Sequence, residues 1–228
     1  MKKKSNLILS SLFLLIIFLC GIIIIGCSKK GGDNPTAPTS ISQSLWPIVV
    51  GNSWTYTDTS FASNSISSPQ VFTVTEQTSI QYQGKSLDVC VISGRSDVYW
   101  RMENGEVYQY YPDPNPLKAL CLKSSVKKGD TFQAQFIVTY PTIAPNTGNV
   151  IPSPSISSES WECISTNEQV TTQAGKFSCY VFKITGTGFY QNEYYYDYYS
   201  MGIGEVFFKH VDNGSIVNNR TLVSYTVK

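Results

Sequence analysis

The stretch Gly51-Asn52-Ser53-Trp54-Thr55-Tyr56-Thr57 decides the fold, because its large side chains recur at every second position. Trp54 and Tyr56 therefore point to one face of an extended strand. No window after Ser44 has a helical period. Further runs of β-branched and aromatic residues follow at 71–75, 87–91, 180–184, 206–208 and 221–225. The pattern predicts about ten antiparallel strands.

Turn-forming pairs separate these runs. They are Gln83-Gly84, Asn104-Gly105, Ala174-Gly175 and Asn213-Gly214. Asn-Gly favours two-residue hairpins, since both central residues need positive φ. Residues 117–123 are the best candidate for a short helix, and residues 140–160, rich in Pro and Ser, predict a long surface loop. The predicted class is therefore all-β and mainly antiparallel, with at most one or two short helices.

The chain also contains an internal repeat. Residues 51–54 (Gly-Asn-Ser-Trp) recur as residues 129–132 (Gly-Asp-Thr-Phe). Two further pairs of blocks match in the same order: residues 76–94 with 168–186, and residues 99–108 with 198–207. We expect two similar β-units, about 45–115 and 121–212, plus a final strand, joined in a curved sheet, a half-barrel or a sandwich.

The N-terminus predicts export. Lysines at positions 2–4 precede an apolar run at 7–25, as in a secretory signal. The run ends Ile24-Ile25-Gly26-Cys27, which resembles the bacterial lipobox. That resemblance implies a signal peptide at 1–26 and a lipid on the Cys27 thiol. Cys20 follows the bulky Leu19 and fits less well. About 19 apolar residues also suffice to span a bilayer, so an uncleaved anchor is the alternative.

Residues 27–44 predict a flexible tether, because they are rich in Gly, Pro, Ser and Thr. Residues 45–228 form the predicted single β-rich domain. Ser28 stands where an Asp would retain an enterobacterial lipoprotein in the inner membrane. By that resemblance the outer membrane is favoured if the host is Gram-negative. The net charge is +1 and no basic stripe is present, so nucleic acid is not an expected partner.

Three blocks resemble a family of uncharacterised bacterial envelope lipoproteins. Residues 49–56 are similar to its V-G-N-x-W-x-Y block. Residues 170–177 are similar to V-x-V-P-A-G-x-F, with Gln173 in place of Pro, and residues 199–206 to Y-x-x-G-V-G-x-V, with Ile203 in place of Val. The resemblance implies an envelope location and a β fold but no known activity. The curved half-barrels that carry lipoproteins offer an analogy of fold alone.

The remaining side chains offer little catalytic chemistry. Four cysteines remain in the exported domain, and oxidising conditions favour two disulfides, of which Cys90–Cys121 and Cys163–Cys179 stay within one repeat each. His210, the only histidine, is expected to lie at the surface. Glu106 and Glu205 occupy matching repeat positions, which favours a structural role over a glycosidase pair. We expect no catalytic, metal or cofactor site.

A run of tyrosines is the feature best suited to binding. Consecutive tyrosines in a strand point to both faces, so some should reach solvent. Amphipathic rings suit sugars, peptides or protein partners, although they also serve as ordinary β-formers. The candidate binding residues are Tyr190, Tyr194, Tyr195, Tyr196, Tyr198 and Tyr199.

Three functions follow as hypotheses. The first is a non-enzymatic, membrane-anchored lipoprotein whose domain binds an envelope protein, a glycan or a lipid-like ligand. The second is a structural or assembly subunit of a surface complex, and the third is a hydrolase using scattered carboxylates. A deep apolar cavity would favour a lipid-like ligand, and a flat tyrosine patch would favour a protein or glycan. A cleft with two converging carboxylates would instead favour the enzyme over binding.

Overall fold

A computed structural model describes residues 44–95, 98–143, 150–186 and 192–228. These residues form an all-β structure of thirteen strands and no helix, which confirms the predicted class. None of the described segments is a helix capable of crossing a membrane. The strands are β1 (Ser53–Ser60), β2 (Ser65–Ile66), β3 (Gln70–Tyr82), β4 (Lys85–Ile92), β5 (Tyr99–Glu103), β6 (Glu106–Tyr111), β7 (Leu117–Leu122), β8 (Thr131–Ile143), β9 (Val150–Thr172), β10 (Gly175–Gly186), β11 (Glu193–Ser200), β12 (Gly204–Asp212) and β13 (Ser215–Thr226).

The strands make one curved antiparallel sheet. Its order is β7-β6-β5-β4-β3-β1-β13-β12-β11-β10-β9-β8, and β2 pairs with β1. Strands β7 and β8 end this order, and no backbone ladder joins them within the described ranges. The sheet nevertheless brings its ends together, because the Ile137 N–H of β8 donates to the Gln109 side chain of β6 at 2.7 Å. The result is an unclosed roll with an inner face around the main core.

Hairpin turns form where Asn-Gly predicts them. Asn104 and Asn213 have φ of 52° and 48°, and the glycines that follow them are also positive. This is the conformation that two-residue hairpins require. The predicted turns at these two sites are therefore confirmed.

The two repeat segments begin with the same local structure. Gly51 and Gly129 have φ of 90° and 92°, which favours glycine. The Gly51 N–H donates to the Val74 carbonyl at 2.8 Å, and the Gly129 N–H donates to the Cys163 carbonyl at 2.7 Å. In the sheet order each half then contributes six strands on the main path, with β1 of the first half beside β13 of the second.

Residues 44–48 cover one end of the core. Leu45 is fully buried, and its N–H donates to the Ser124 hydroxyl at 2.8 Å. Trp46 packs edge-on against Trp54 and Trp100, with ring centroids 5.8 and 5.3 Å apart. The last residue of the predicted tether, Ser44, is itself buried and accepts a backbone hydrogen bond. The first described residues of the chain are therefore part of the hydrophobic core.

Two local predictions were wrong. Residues 117–122 form β7 instead of a helix, because Ala119 and Cys121 alternate inward while Lys118 points outward. Most of the predicted loop at 140–160 is strand, since β8 and β9 extend as one long hairpin in which Thr139 pairs with Pro154. Backbone pairing between neighbouring strands overrides local composition in both segments. Residues 144–149 lie outside the described residues.

Neither predicted disulfide forms, because Cys90, Cys121, Cys163 and Cys179 are all free. Cys163 lies opposite Phe182, three residues along β10 from Cys179, a separation of about 10 Å. Cys90 on β4 and Cys121 on β7 are three strand spacings apart, about 14 Å. Disulfides need Cα atoms within about 7 Å. Sequence spacing within a repeat did not bring either pair together.

Candidate functional site

A cleft opens on the inner face across strands β8 to β12. It has a volume of about 370 Å³. We call it the inner cleft, and its lining residues are Phe136, Glu159, Trp161, Ile184, Tyr195, Asp197 and Phe208. Five of the seven side chains are apolar or aromatic, while two are carboxylates. The volume falls within the range of small-ligand sites.

Strand register brings these residues together. Asp197 of β11 lies opposite Phe208 of β12, and Tyr195 lies opposite Ile184 of β10. Ile184 in turn lies opposite Trp161 of β9. Residues opposite each other in antiparallel strands share a face of the sheet. Five strands thus supply side chains to one surface.

Asp197 is the most buried carboxylate of the cleft, at 8% exposure. Its Oδ2 accepts a hydrogen bond from the Tyr199 hydroxyl at 3.5 Å, whereas its buried Oδ1 has no partner among the described residues. Burial raises the pKa of Asp197 well above its usual value, and the charges of Glu205 and Glu159 raise it further. An unsatisfied buried oxygen costs free energy, so this site favours a proton or an incoming donor.

Two more carboxylates lie near Asp197. Glu159 lines the cleft, and its Oε2 accepts from the Trp161 indole at 3.2 Å. Burial raises the pKa of Glu159, and burial also raises the pKa of Glu205. The feature that would favour an enzyme is present in part, because two carboxylates share the cleft. Glu159 accepts a hydrogen bond from Trp161, whereas Asp197 accepts one from Tyr199.

A second cleft adjoins the first. It has a volume of about 300 Å³, and Phe208 borders both clefts. Its floor contains the ion pair between Arg220 Nε and Asp58 Oδ1 at 2.8 Å. Arg220 is opposite both Asp58 on β1 and Phe208 on β12. The two clefts therefore lie on either side of Phe208, and the second extends to β1.

The tyrosine run divides between the two faces, as alternation predicts. Tyr195 lines the inner cleft, and Tyr199 packs edge-on against Phe182 with centroids 6.1 Å apart. On the outer face, Tyr194 and Tyr196 lie near Lys183 and Lys209, while Tyr198 is buried. One of the predicted tyrosines therefore lines the cleft. Tyr190 lies outside the described residues, as does the predicted lipid site Cys27.

The prediction for His210 was wrong. Only 16% of its side chain is exposed, and its Nε2 lies 2.6 Å from Glu193 Oε1. The ring also packs against Tyr195 at a centroid distance of 4.4 Å. His210 lies two residues from Phe208 on β12, so strand alternation places both on the inner face.

Sequence reasoning missed both cleft carboxylates. Asp197 sits two residues from both Tyr195 and Tyr199, so strand alternation places it on their face. The two-residue period of a strand could therefore have placed Asp197 on the same face as these tyrosines. Glu159 was hidden within the residues assigned to a loop. No sequence pattern relates it to Asp197, because their proximity depends on the pairing of β9, β10 and β11.

We expect the domain to lose stability as pH rises from about 4.5. Asp197, Glu159 and Glu205 have raised pKa values in the folded state, so the native protein binds protons more tightly than the unfolded chain. Their stabilising contribution is full below the unfolded pKa and is lost through the folded pKa values. Urea unfolding at pH 5 and 8 should differ by about 1 kcal/mol or more. The variant Asp197→Asn should flatten this slope; stability that increases with pH would contradict the assignment.

Comparison with known proteins gives two structural likenesses. No protein-family model and no curated protein matches the chain. A crystal structure from Bacteroides fragilis, described as an exported protein with a YmcC-like fold, has a TM-score of 0.45 at 13% identity and covers 79% of this chain and 98% of its own. A crystal structure from Parabacteroides distasonis, described as a lipoprotein, has a TM-score of 0.40 at 17% identity and covers 81% and 99%. Neither description names a ligand or an activity.

Proposed function

We propose that this protein is a lipid-anchored lipoprotein of the cell envelope whose β-domain binds a small ligand in the inner cleft without catalysis. The Cys27 lipobox supports the anchor. The observation that carries the binding function is that Asp197 lines an aromatic cleft and keeps one buried oxygen without a partner among the described residues. A buried polar group left unsatisfied calls for an explanation, and a donor supplied by a ligand is the one that its place in the cleft favours. Outer-membrane sorting, suggested by Ser28, belongs to the same proposal.

The variant Phe208→Ala should weaken ligand binding by about tenfold. Phe208 borders both clefts, so its removal takes away a contact wall. Ligand-observed NMR with a panel of sugars, amines and fatty acids would measure this loss.

The matched control is Phe207→Ala. Phe207 is next to Phe208 on β12 but packs on the outer face against Tyr198 at 5.2 Å. Binding that survives Phe208→Ala, or that falls equally in both variants, would count against the cleft.

A hydrolase is the second candidate, because Glu159 and Asp197 line one cleft. We rank it below binding, since the other five lining side chains are apolar or aromatic and supply no nucleophile apart from the Tyr195 hydroxyl. Turnover of nitrophenyl glycosides or esters would be measured for the wild type, Glu159→Gln and Asp197→Asn. Turnover that disappears in both variants would establish the enzyme and overturn the non-catalytic proposal.

A further inference from the structure

Carboxyl groups outnumber guanidinium groups in and around the inner cleft. Asp58, Glu159, Asp197 and Glu205 are opposed by two guanidinium groups, those of Arg95 and Arg220. Arg220 already pairs with Asp58 at 2.8 Å. The Arg95 guanidinium lies over the rings of Trp100 and Phe72, at 5.4 and 5.2 Å from their centroids. Neither arginine forms an ion pair with Asp197.

Two pairs of aromatic rings line the inner cleft together with Asp197. Tyr195 and Phe208 stack with centroids 5.4 Å apart on β11 and β12. Phe136 and Trp161 form a second pair at 6.3 Å on β8 and β9. Ring faces attract cations electrostatically, and the attraction grows when the cation is desolvated.

We propose that the ligand of the inner cleft is an organic cation, a primary or methylated ammonium group, with Asp197 as its counter-ion and the surrounding rings as its walls. This inference rests on the binding function proposed above. The cation would place a positive charge beside the buried Asp197 Oδ1, which has no partner among the described residues, and would favour the ionised form of this carboxyl. The cleft volume of about 370 Å³ accommodates a group of this size.

A neutral polyol is the strongest competitor. Its hydroxyl would also donate to Asp197 Oδ1, and its ring would also stack on Trp161. It would supply no positive charge, however, to stabilise the ionised form of Asp197 at this buried site. Charge is therefore the property that separates the two ligand classes.

The test compares choline with 3,3-dimethylbutan-1-ol, which has the same shape without the charge. Isothermal titration calorimetry would use the whole chain in an uncharged, choline-free detergent at low salt and about pH 8, where a bound cation would favour the ionised form of Asp197. We expect choline to bind the wild type at least about tenfold more tightly than the alcohol. Asp197→Asn should abolish this preference. The control Asp88→Asn, which removes an exposed carboxylate that accepts from Ser79, should keep it.

Three results would contradict the proposal that the ligand is an organic cation. They are equal affinities for the two compounds, an unchanged preference in Asp197→Asn, and no choline binding at about 10 mM, near the weak limit of specific affinity. If a compound other than a cation binds the wild type and no longer binds Phe208→Ala, the cation proposal is wrong but the binding function of the cleft is supported. If no compound in the wider panel responds to Phe208→Ala, the binding function itself fails.

Discussion

Replacing Trp54 with Ala should destabilise the domain by about 3–5 kcal/mol, a large share of the total stability of a typical domain. Trp54 is completely buried, and its indole N–H donates to the Ile203 carbonyl. Its ring contacts Trp46 in the segment that enters the domain, and the two indole rings together leave no room for a Cβ on Gly204. One side chain thus connects β1, residues 44–48 and the β11–β12 turn. Its loss would leave a cavity where all three meet.

Urea unfolding of Trp54→Ala, Trp54→Phe and Phe61→Ala would measure this effect. Trp54→Phe keeps most of the ring but loses the hydrogen bond, so we expect a cost of about 1–2 kcal/mol. Phe61 is 51% exposed, and its replacement should change the free energy of unfolding by less than about 0.5 kcal/mol. If Trp54→Ala behaves like Phe61→Ala, Trp54 does not hold the core together.

The variant Cys27→Ala should lose lipid modification completely. The thiol of Cys27 is the proposed acceptor of the diacylglyceryl group, and no neighbouring side chain can replace it. Acyl chains contribute about 0.8 kcal/mol per buried CH2, so their loss would remove the proposed anchor. The measurement is incorporation of an alkyne-labelled fatty acid, followed by the mass of the purified chain.

Cys20→Ala is the matched control, because it removes the other thiol near the signal and should be labelled normally. Membrane association alone would not distinguish the variants, since the unprocessed apolar run at 7–25 is long enough to span a bilayer. Normal labelling of Cys27→Ala would show that the lipobox assignment is wrong.

The strands and turns were predictable because they depend on local physics. Alternation in residues 53–57 and positive φ at Asn104-Gly105 require only neighbouring residues. The same local reasoning wrongly predicted a helix at residues 117–123, because the pairing of Leu120 with Tyr108 on β6 determines their conformation. The two disulfide predictions were wrong for the same reason. A repeat places Cys163 and Cys179 in one unit, but strand register sets their separation.

The sequence by itself determined the all-β class, the Asn-Gly hairpins and the expectation of a lipid on Cys27, because each depends on residues within one short window. Only the tertiary structure decided the site. Phe136, Asp197 and Phe208 come from three strands, and their meeting depends on long-range hydrogen-bond register and on the curvature of the sheet. Burial then gives Asp197 its raised pKa, because desolvation exists only once the sheet has curled around the carboxylate.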